Sequence, residues 1–211
     1  MIEEKNPKPI AIFGAGGLAR EVYFLLERLG YASRVEAFYE SEEYWHARRI
    51  WDIDVRPAGL FESAHSRVVI AIGGPAARRK IVSQLSGDTE YITLIDPSVI
   101  ISPRVTIGEG SILCAGTVVT TEVLIGQHVH IDRCVNVGHD CMIDGFSTIA
   151  PGAIISGNCS IGAGAYIGAG ACIRERITIG EGATVGMGAT VIRPVPDQQV
   201  HAGNPARQLL L

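Results

Sequence analysis

Residues 155–173 read ISGNCSIGAGAYIGAGACI, in which an isoleucine returns every six residues. The period extends over nearly half of the chain. Seventeen positions spaced by six are all Ile, Leu or Val: Ile95, Ile101, Ile107, Leu113, Val119, Ile125, Ile131, Val137, Ile143, Ile149, Ile155, Ile161, Ile167, Ile173, Ile179, Val185 and Val191. Four residues after each of them lies a second series, from Val99 to Val195, which contains Ser, Thr, Ala, Cys or Val with the exception of Ile177.

The six-residue period excludes a helix and a regular strand. A strict period of six drifts around a helix of 3.6 residues per turn, and a turn-like pair in each unit interrupts the alternation of an extended strand. Short strands joined by corners fit the pattern, with the aliphatic and the small residue facing inward. Three units form one coil of 18 residues, so 17 units give between five and six coils, a prism on the order of 27 Å long at the usual strand spacing.

The repeat resembles that of the hexapeptide-repeat acyltransferases, with a glycine after many of the aliphatic residues, as in IGEGSI and VGMGAT. The resemblance implies a left-handed parallel β-helix, whereas the general rule for parallel crossovers alone would give a right-handed one. The repeat by itself is also compatible with a carbonic anhydrase of the same architecture or with a scaffold protein. It therefore predicts the fold but leaves the activity open.

Composition excludes several classes of protein. With 47% hydrophobic and 19% charged residues among 211, the chain has the composition of a soluble globular protein. The net charge of −4 disfavours a nucleic-acid partner, and no apolar run reaches the roughly 18 residues of a membrane span. The start, MIEEKNPKPIAIF, lacks the pattern of a signal peptide, so we expect a cytoplasmic protein. The five cysteines include no CxxC pair, and we expect them to be reduced.

The first 93 residues do not carry the repeat. Apolar stretches there alternate with glycine turns and helical patterns: a strand at 9–13, the segment GAGGLARE at 14–21 that opens a helix to about residue 29, strands at 35–39 and 68–72, and a helix at 76–85. Such units predict a Rossmann-like α/β domain with a ligand crevice at the carboxyl ends of its strands. We therefore expect a small α/β domain at 1–93 and a β-helix domain at 94–211.

The GAGGLA segment lies between a strand and a helix N-terminus, where backbone N–H groups and the helix dipole favour an anion. It also matches the GxGxxA dinucleotide fingerprint, with Glu36 about 20 residues farther on. A domain of about 90 residues is roughly half of a full dinucleotide fold, so a nucleotide-sugar diphosphate is the preferred ligand, with NAD and a purely structural turn as alternatives. The predicted substrate-binding residues are Gly14, Gly16, Gly17, Leu18, Glu40 and Gly73.

The domain order, GAGG, the His139-Asp140 pair and the closing AGNPAR together resemble the NeuD/PglD-like sugar acetyltransferases. The resemblance covers nearly the whole chain. It implies acetyl-CoA as co-substrate, a UDP- or dTDP-linked amino sugar, typically a 4-amino sugar for surface-glycan synthesis, and a homotrimer. Three positions depart from the family pattern: Leu18 replaces a histidine, Thr148 replaces a second histidine that assists acetyl-CoA binding, and Tyr39-Glu40 must supply the acidic residue after the second strand.

His139 is the candidate catalytic base. In the hexad register Val137 and Cys141 face inward, so His139 and Asp140 fall on a corner that points away from the core. A solvated corner histidine is the alternative to a catalytic one. The family resemblance makes His139 the base that deprotonates the attacking amine and Asp140 its supporting partner. It also makes the backbone N–H of Gly157, one 18-residue coil farther on, the donor to the oxyanion.

The acetyl donor has its own candidate residues. The end of the chain, VHAGNPARQLL, resembles the close of the acyltransferases, which implies that Pro205, Ala206 and Arg207 lie near CoA, with the arginine at its phosphates. A terminal cap on the prism is the alternative. The family alignment also implies that the corner residues Ala169 and Met187, one coil apart, line the pantetheine channel, and that Thr148 and Gly157 contact the donor.

No metal is expected. His128, His130 and His139 resemble in type the three-histidine zinc site of the γ-class carbonic anhydrases, but their spacing does not match that family. We therefore expect His128 and His130 at the surface or at a subunit interface. Two other functions stay open at this point: O-acetylation of a sialic-acid-like sugar, and nucleotide-sugar binding by a non-catalytic trimer.

Overall fold

The computed structural model describes residues 8–209. Within that range the chain divides into two compact units, one formed by residues 8–72 with 80–92, the other by residues 73–79 with 93–209. The second unit therefore takes in the segment 73–79, which the sequence analysis had assigned to the first domain. The N-terminal residues behind the cytoplasmic expectation lie partly outside the described range. Neither α-helix in residues 8–209 has the length and apolar character needed to cross a bilayer.

The first unit is built on a five-stranded sheet. Its strands are β1 (Ile10–Phe13), β2 (Val35–Glu40), β3 (Arg48–Ile50), β4 (Ile53–Pro57) and β5 (Arg67–Ile70), in the order β3-β4-β2-β1-β5. All neighbours are parallel except β3 and β4, which form an antiparallel pair. Helix α1 spans Gly17–Arg28, two 3-10 turns lie at Ala32–Arg34 and Ala58–Leu60, and helix α2 (Pro75–Gln84) begins in the segment 73–79.

The patterns of the sequence explain these elements. Strand β1 is buried along its whole length because it lies between β2 and β5, as expected for the apolar strands of a parallel sheet. Helix α1 buries one stripe, formed by Ala19, Val22, Leu25 and Leu26. The β3–β4 pair was not predicted, because RRI and IDVRP are short, charged and only half-buried.

The second unit contains 17 two-residue strands, each ending on one aliphatic residue of the hexad series. They are β6 Leu94–Ile95, β7 Ile100–Ile101, β8 Thr106–Ile107, β9 Ile112–Leu113, β10 Val118–Val119, β11 Leu124–Ile125, β12 His130–Ile131, β13 Asn136–Val137, β14 Met142–Ile143, β15 Thr148–Ile149, β16 Ile154–Ile155, β17 Ser160–Ile161, β18 Tyr166–Ile167, β19 Cys172–Ile173, β20 Thr178–Ile179, β21 Thr184–Val185 and β22 Thr190–Val191. Strands β23 (Val200–Ala202) and β24 (Arg207–Gln208) follow.

Every third strand pairs in parallel, which produces three faces. Their orders are β22-β19-β16-β13-β10-β7, then β20-β17-β14-β11-β8, and β24-β23-β21-β18-β15-β12-β9-β6. Partners such as Val137 and Ile155 are 18 residues apart, so one coil has three strands and 18 residues. The predicted left-handed parallel β-helix is confirmed. Strand β24 turns back antiparallel to β23 and closes the last coil.

The core of the prism is formed by the two inward series. Aliphatic residues such as Ile131 and Ile143 are fully buried, and the small residues fill the space between them. Three members of the small series carry hydroxyls that are also buried, and each donates to a backbone carbonyl: Ser111 to Gly126 at 2.8 Å, Thr117 to Asp132 at 3.0 Å, and Ser147 to Gly162 at 2.9 Å. Polar residues are tolerated in this core because their hydrogen bonds are satisfied.

Candidate active site

His139 lies on a corner of the β-helix, as the hexad register predicts. Val137 and Cys141, on either side, are buried in the core at 1% and 2% exposure. The side chains of His139 and Asp140 are 59% and 52% exposed. The imidazole is therefore held on a rigid coil but is open to a ligand.

Asp140 contacts its neighbour directly. The Nδ1 atom of His139 lies 2.6 Å from Oδ2 of Asp140. Adjacent corner residues reach each other because Asp140 has a left-handed backbone, with φ of 57°, a conformation that aspartate adopts more readily than most residues. When Nδ1 carries the proton it donates to the carboxylate, which leaves the lone pair of Nε2 available as a base.

Gly157 lies against the ring of His139. A Cβ atom added at Gly157 would be 2.7 Å from Nε2 and 2.8 Å from Cε1, so a side chain there would displace the imidazole. The two coils are joined at this point by a hydrogen bond from the Asn158 N–H to the His139 carbonyl, at 2.8 Å. The Gly157 N–H has no acceptor among residues 8–209 and is available as a donor beside Nε2.

The Cys141 thiol behind this corner is not a candidate nucleophile. Cys141 is buried, and its Sγ donates to the Ser156 carbonyl at 3.2 Å. The hydrogen bond with the Cys159 thiol, together with burial, raises the pKa of Cys141 far above its usual range. Cys141 therefore stays protonated at neutral pH, which leaves the exposed imidazole of His139 as the candidate reactive group of the corner.

Thr148 has a different environment from the one predicted. It is buried, at 4% exposure. Its Oγ1 donates to the Gly73 carbonyl at 2.8 Å and accepts from Nη2 of Arg78 at 2.9 Å. The side chain thus holds the segment 73–79 on the prism, and its contact with acetyl-CoA stays a prediction.

Arg78 also holds the segment 73–79, and the sequence did not predict this role. It is 2% exposed. Its guanidinium donates to the backbone carbonyls of His128 (2.9 Å), Phe146 (2.8 Å), Ser147 (3.0 Å) and Gly73 (3.2 Å). Burial lowers the pKa of Arg78 to about 10, so the side chain is still charged at neutral pH. Its position in a charged helical segment, PAARRK, gives no sign of this role.

His128 and His130 are buried rather than at the surface of the chain, each at 3% exposure. The His128 ring stacks on Phe146, with centroids 5.0 Å apart and 23° between planes. Burial, with the positive charge of Arg78 nearby, lowers the pKa of His128 to about 4. His128 is therefore neutral at physiological pH. The burial of both histidines corrects the prediction that they lie at the surface of the chain.

The glycine loop of the first unit has the geometry of an anion site. Gly14 follows β1 with φ of +117°, and a Cβ atom there would lie 2.6 Å from the Ala71 carbonyl oxygen, so only glycine fits. Gly16 is the N-cap of α1, and no side chain caps that helix. The first-turn N–H groups, including those of Gly17 and Leu18, are therefore free to bind an anion.

Two other predicted substrate residues are engaged in contacts of their own. Glu40 ends β2, and Nη2 of Arg48 lies 2.9 Å from its Oε1 and 2.8 Å from its Oε2. The carboxylate is thus neutralised within the first unit. Gly73 belongs to the second unit, where its carbonyl accepts from Thr148 and Arg78.

The predicted acetyl-CoA residues lie at the corners and at the end of the prism. Ala169 and Met187 are stacked on adjacent coils, joined by the hydrogen bond from the Gly188 N–H to the Ala169 carbonyl at 2.8 Å, and Met187 is 80% exposed. After Pro205, the Ala206 N–H donates to the Thr190 carbonyl at 2.8 Å, and Arg207 is exposed. The segment caps the last coil and at the same time presents a guanidinium to solvent.

Comparison with known proteins identifies the family. Residues 9–85 match the family described as PglD N-terminal domain, and residues 158–193 match the bacterial transferase hexapeptide repeats. The GDP-perosamine N-acetyltransferase of Escherichia coli O157:H7 is 36% identical over 89 residues, which cover 42% of this chain and 40% of that protein. Less than half of that curated relative is therefore matched.

Two solved structures match over almost their full length. The acetyltransferase domain of PglB from Neisseria gonorrhoeae FA1090, in complex with acetyl coenzyme A, is 31% identical with a TM-score of 0.87, over 97% of this chain and 100% of that chain. A histidine-to-asparagine variant of perosamine N-acetyltransferase from Caulobacter crescentus, in complex with CoA and GDP-perosamine, is 28% identical with a TM-score of 0.88, over 96% and 97%. This chain belongs to the NeuD/PglD-like sugar acetyltransferases of the hexapeptide-repeat superfamily.

Proposed function

We propose that this protein transfers the acetyl group of acetyl-CoA to the amine of a nucleotide-linked amino sugar. The observation that carries the proposal is the exposed corner of His139, Asp140 and Gly157, where one imidazole nitrogen contacts a carboxylate and the other lies beside a glycine. The N-acetyltransferases of GDP-perosamine among its relatives support the acceptor class. The enzyme would act in the cytoplasm, on a precursor for surface glycans.

In the proposed mechanism His139 is the general base. With Nδ1–H donating to Asp140, Nε2 accepts the proton of the sugar amine as the nitrogen attacks the thioester carbonyl carbon. The C–N bond forms while the carbonyl electron pair moves to oxygen, and the Gly157 N–H donates to this oxyanion. The C–S bond then breaks, the sulfur of CoA leaves with the electron pair, and the imidazolium returns a proton to it.

The proposed acetyl-CoA site uses the outward corners and the closing segment. The exposed Met187 side chain, stacked on Ala169, offers an apolar surface to the pantetheine arm. Pro205 and Ala206 lead to Arg207, whose exposed guanidinium suits a phosphate of CoA. Gly157 lies where the thioester must approach, because only a glycine leaves room beside the ring of His139.

We also propose a homotrimer with His139 at the subunit interface. The two faces that meet at the His139 corner expose large apolar residues: Ile100 and Ile154 on one, Leu124 and Met142 on the other, with exposures of 43% to 68%. Exposed apolar faces of a prism can be buried in a closed ring of three. The third face carries the segment 73–79 instead.

The proposed nucleotide site is the β1–α1 turn. Gly14, Gly16, Gly17 and Leu18 present backbone N–H groups to a diphosphate, and Glu40 and Gly73 are the further substrate candidates. The family resemblance implies a nucleotide restricted to UDP or dTDP. The relatives that act on GDP-perosamine give no support for that restriction, so GDP-linked sugars must be included.

The test is acetylation of a panel of UDP-, dTDP- and GDP-linked amino sugars with acetyl-CoA. Turnover is measured as the release of the free thiol of CoA. We expect an amide product with one sugar, identified by mass spectrometry and NMR, which separates N- from O-acetylation. His139→Asn should lower kcat by about 10²–10⁴-fold, the usual contribution of a general base. His65→Asn, in an exposed ion pair of the first unit, is the matched control. Full activity of His139→Asn, or nucleotide-sugar binding without any turnover, would contradict the proposal.

A further inference from the structure

A second polar cluster lies on a different corner of the β-helix. Cys114 follows β9, His130 opens β12, and Asp132 follows β12. Since β9 and β12 pair in parallel, Cys114 and Asp132 occupy the same position on adjacent coils, 18 residues apart. The cluster contains none of the residues assigned to acetyl transfer.

The three side chains have the spacing of metal ligands. Sγ of Cys114 lies 3.7 Å from Nε2 of His130, and one donor atom of each residue lies within 4.8 Å of the others. In a tetrahedral zinc site, Zn–S of about 2.3 Å and Zn–N of about 2.0–2.1 Å place the sulfur and nitrogen about 3.5 Å apart. The observed separation of the two atoms is therefore close to that of a zinc site.

The cluster is also partly buried and is held by its surroundings. His130 is 3% exposed, and the Asp132 side chain is 13% exposed. Oδ1 of Asp132 accepts the Arg133 N–H at 2.7 Å, and the Asp132 carbonyl accepts the Thr117 hydroxyl at 3.0 Å. Hydrogen bonds of this kind orient ligands in metal sites. Little movement of the coils is needed for the three groups to converge on one ion.

We propose that Cys114, His130 and Asp132 bind a Zn²⁺ ion. Thiolate, imidazole and carboxylate are the donors that zinc prefers, and two negative charges offset the charge of the ion. The fourth position is left to water or another ligand. Binding converts the Cys114 thiol to a thiolate and releases its proton. The histidine spacing alone predicts no metal site, but the coil brings together a cysteine and a histidine that are 16 residues apart.

The test uses the full chain, reduced and freed of metal by chelation, titrated with Co²⁺ as a spectroscopic probe and then with Zn²⁺. We expect one Co²⁺ per chain, visible d–d bands of tetrahedral intensity, and a thiolate-to-cobalt charge-transfer band that Zn²⁺ abolishes. Zn²⁺ should also raise the midpoint of thermal unfolding. Both effects should disappear in Cys114→Ser and weaken in Asp132→Asn.

Cys134→Ser is the matched control, because Cys134 is an exposed thiol on the same coil as Asp132. It should keep the charge-transfer band. The wild-type titration does not depend on how any variant folds: a folded wild-type protein without the band overturns the proposal. A band that survives in Cys114→Ser and is lost in Cys134→Ser would place the metal at the exposed thiol and overturn it as well.

Discussion

His139 and Asp140 are neighbours in the chain whose side chains meet, with Nδ1 of the imidazole 2.6 Å from Oδ2 of the carboxylate. The left-handed backbone of Asp140 brings the carboxylate back to the ring. The contact selects the tautomer that leaves Nε2 unprotonated, on the side of Gly157. The carboxylate thus orients the imidazole that we propose as the general base.

Asp140→Asn should therefore lower kcat while the protein remains folded. Asparagine has the same shape and also tolerates positive φ, but its neutral amide no longer selects the Nδ1–H tautomer. We expect kcat to fall by about 10- to 100-fold, less than the roughly 10²–10⁴-fold attributed to a general base, with little change in KM for acetyl-CoA. Steady-state kinetics on both substrates measure this split.

Glu122→Gln is the control for that experiment. Glu122 lies on the same corner one coil earlier and also has positive φ, at 55°. Loss of its charge should leave kcat unchanged. An equal loss of activity in both variants would show that the charge of the corner, rather than the contact with His139, is responsible.

The six-residue period of the inward residues was enough to predict the prism and the outward position of His139. Val137 and Cys141 could be assigned to the core from spacing alone, because a solenoid repeats one local geometry. The contact between His139 and Asp140 could not be predicted, since it depends on the left-handed φ of Asp140. The hydrogen bond between Arg78 and Thr148 could not be predicted for another reason: it joins residues 70 apart in the chain. Burial of His128 and His130 is likewise invisible to a local pattern.

Gly157→Ala should separate activity from stability. The backbone of Gly157 does not have positive φ, so alanine is not strained there. The three atoms nearest to the new methyl group all belong to the ring of His139, at 2.7–3.1 Å, and that exposed ring can rotate away. We expect a large loss of kcat, with a change in unfolding free energy of less than about 1 kcal/mol, as for most surface substitutions.

Steady-state kinetics and urea unfolding of the same variant measure kcat and the free energy of unfolding. Gly87→Ala is the control, because a Cβ atom at Gly87 has no neighbour within 4 Å. It should leave both kcat and stability unchanged. Retention of wild-type kcat by Gly157→Ala would remove Gly157 from the proposed site.

Arg78→Met should destabilise the protein strongly. The substitution removes donors from four backbone carbonyls, and a buried polar group left without a partner costs about 1–3 kcal/mol. We expect a loss of at least about 3 kcal/mol in the free energy of unfolding, even though methionine has a similar length. Urea unfolding monitored by circular dichroism measures it.

Arg79→Met provides the comparison. The Arg79 side chain is 48% exposed, lies 5.0 Å from the Phe146 ring centroid and is 3.8 Å from a carboxylate oxygen of Glu181. Such exposed contacts contribute about 0.5–1 kcal/mol. Equal losses for the two variants would mean that the buried hydrogen bonds of Arg78 are not what holds the segment 73–79.

His128 should make stability depend on pH between about 4 and 6.5. Its pKa in the folded protein is lowered to about 4, from an ordinary value of 6.5, by burial and by the charge of Arg78. In this interval the unfolded chain binds a proton at His128 and the folded protein does not, so stability falls as the pH falls. The loss amounts to at most about 3 kcal/mol, and below the folded pKa it increases no further.

His128→Asn removes the titrating ring while asparagine accommodates the positive φ of 54° at this position. The variant is less stable than the wild type at pH 7, because the stack on Phe146 is lost. Carboxylates titrate equally in both proteins, so the difference between their unfolding free energies isolates His128. That difference should shrink as the pH is lowered from 6.5 to 4, whereas His65→Asn, an exposed control, should not reproduce the effect. A difference that stays constant across the interval would show that His128 titrates alike in the folded and unfolded chains.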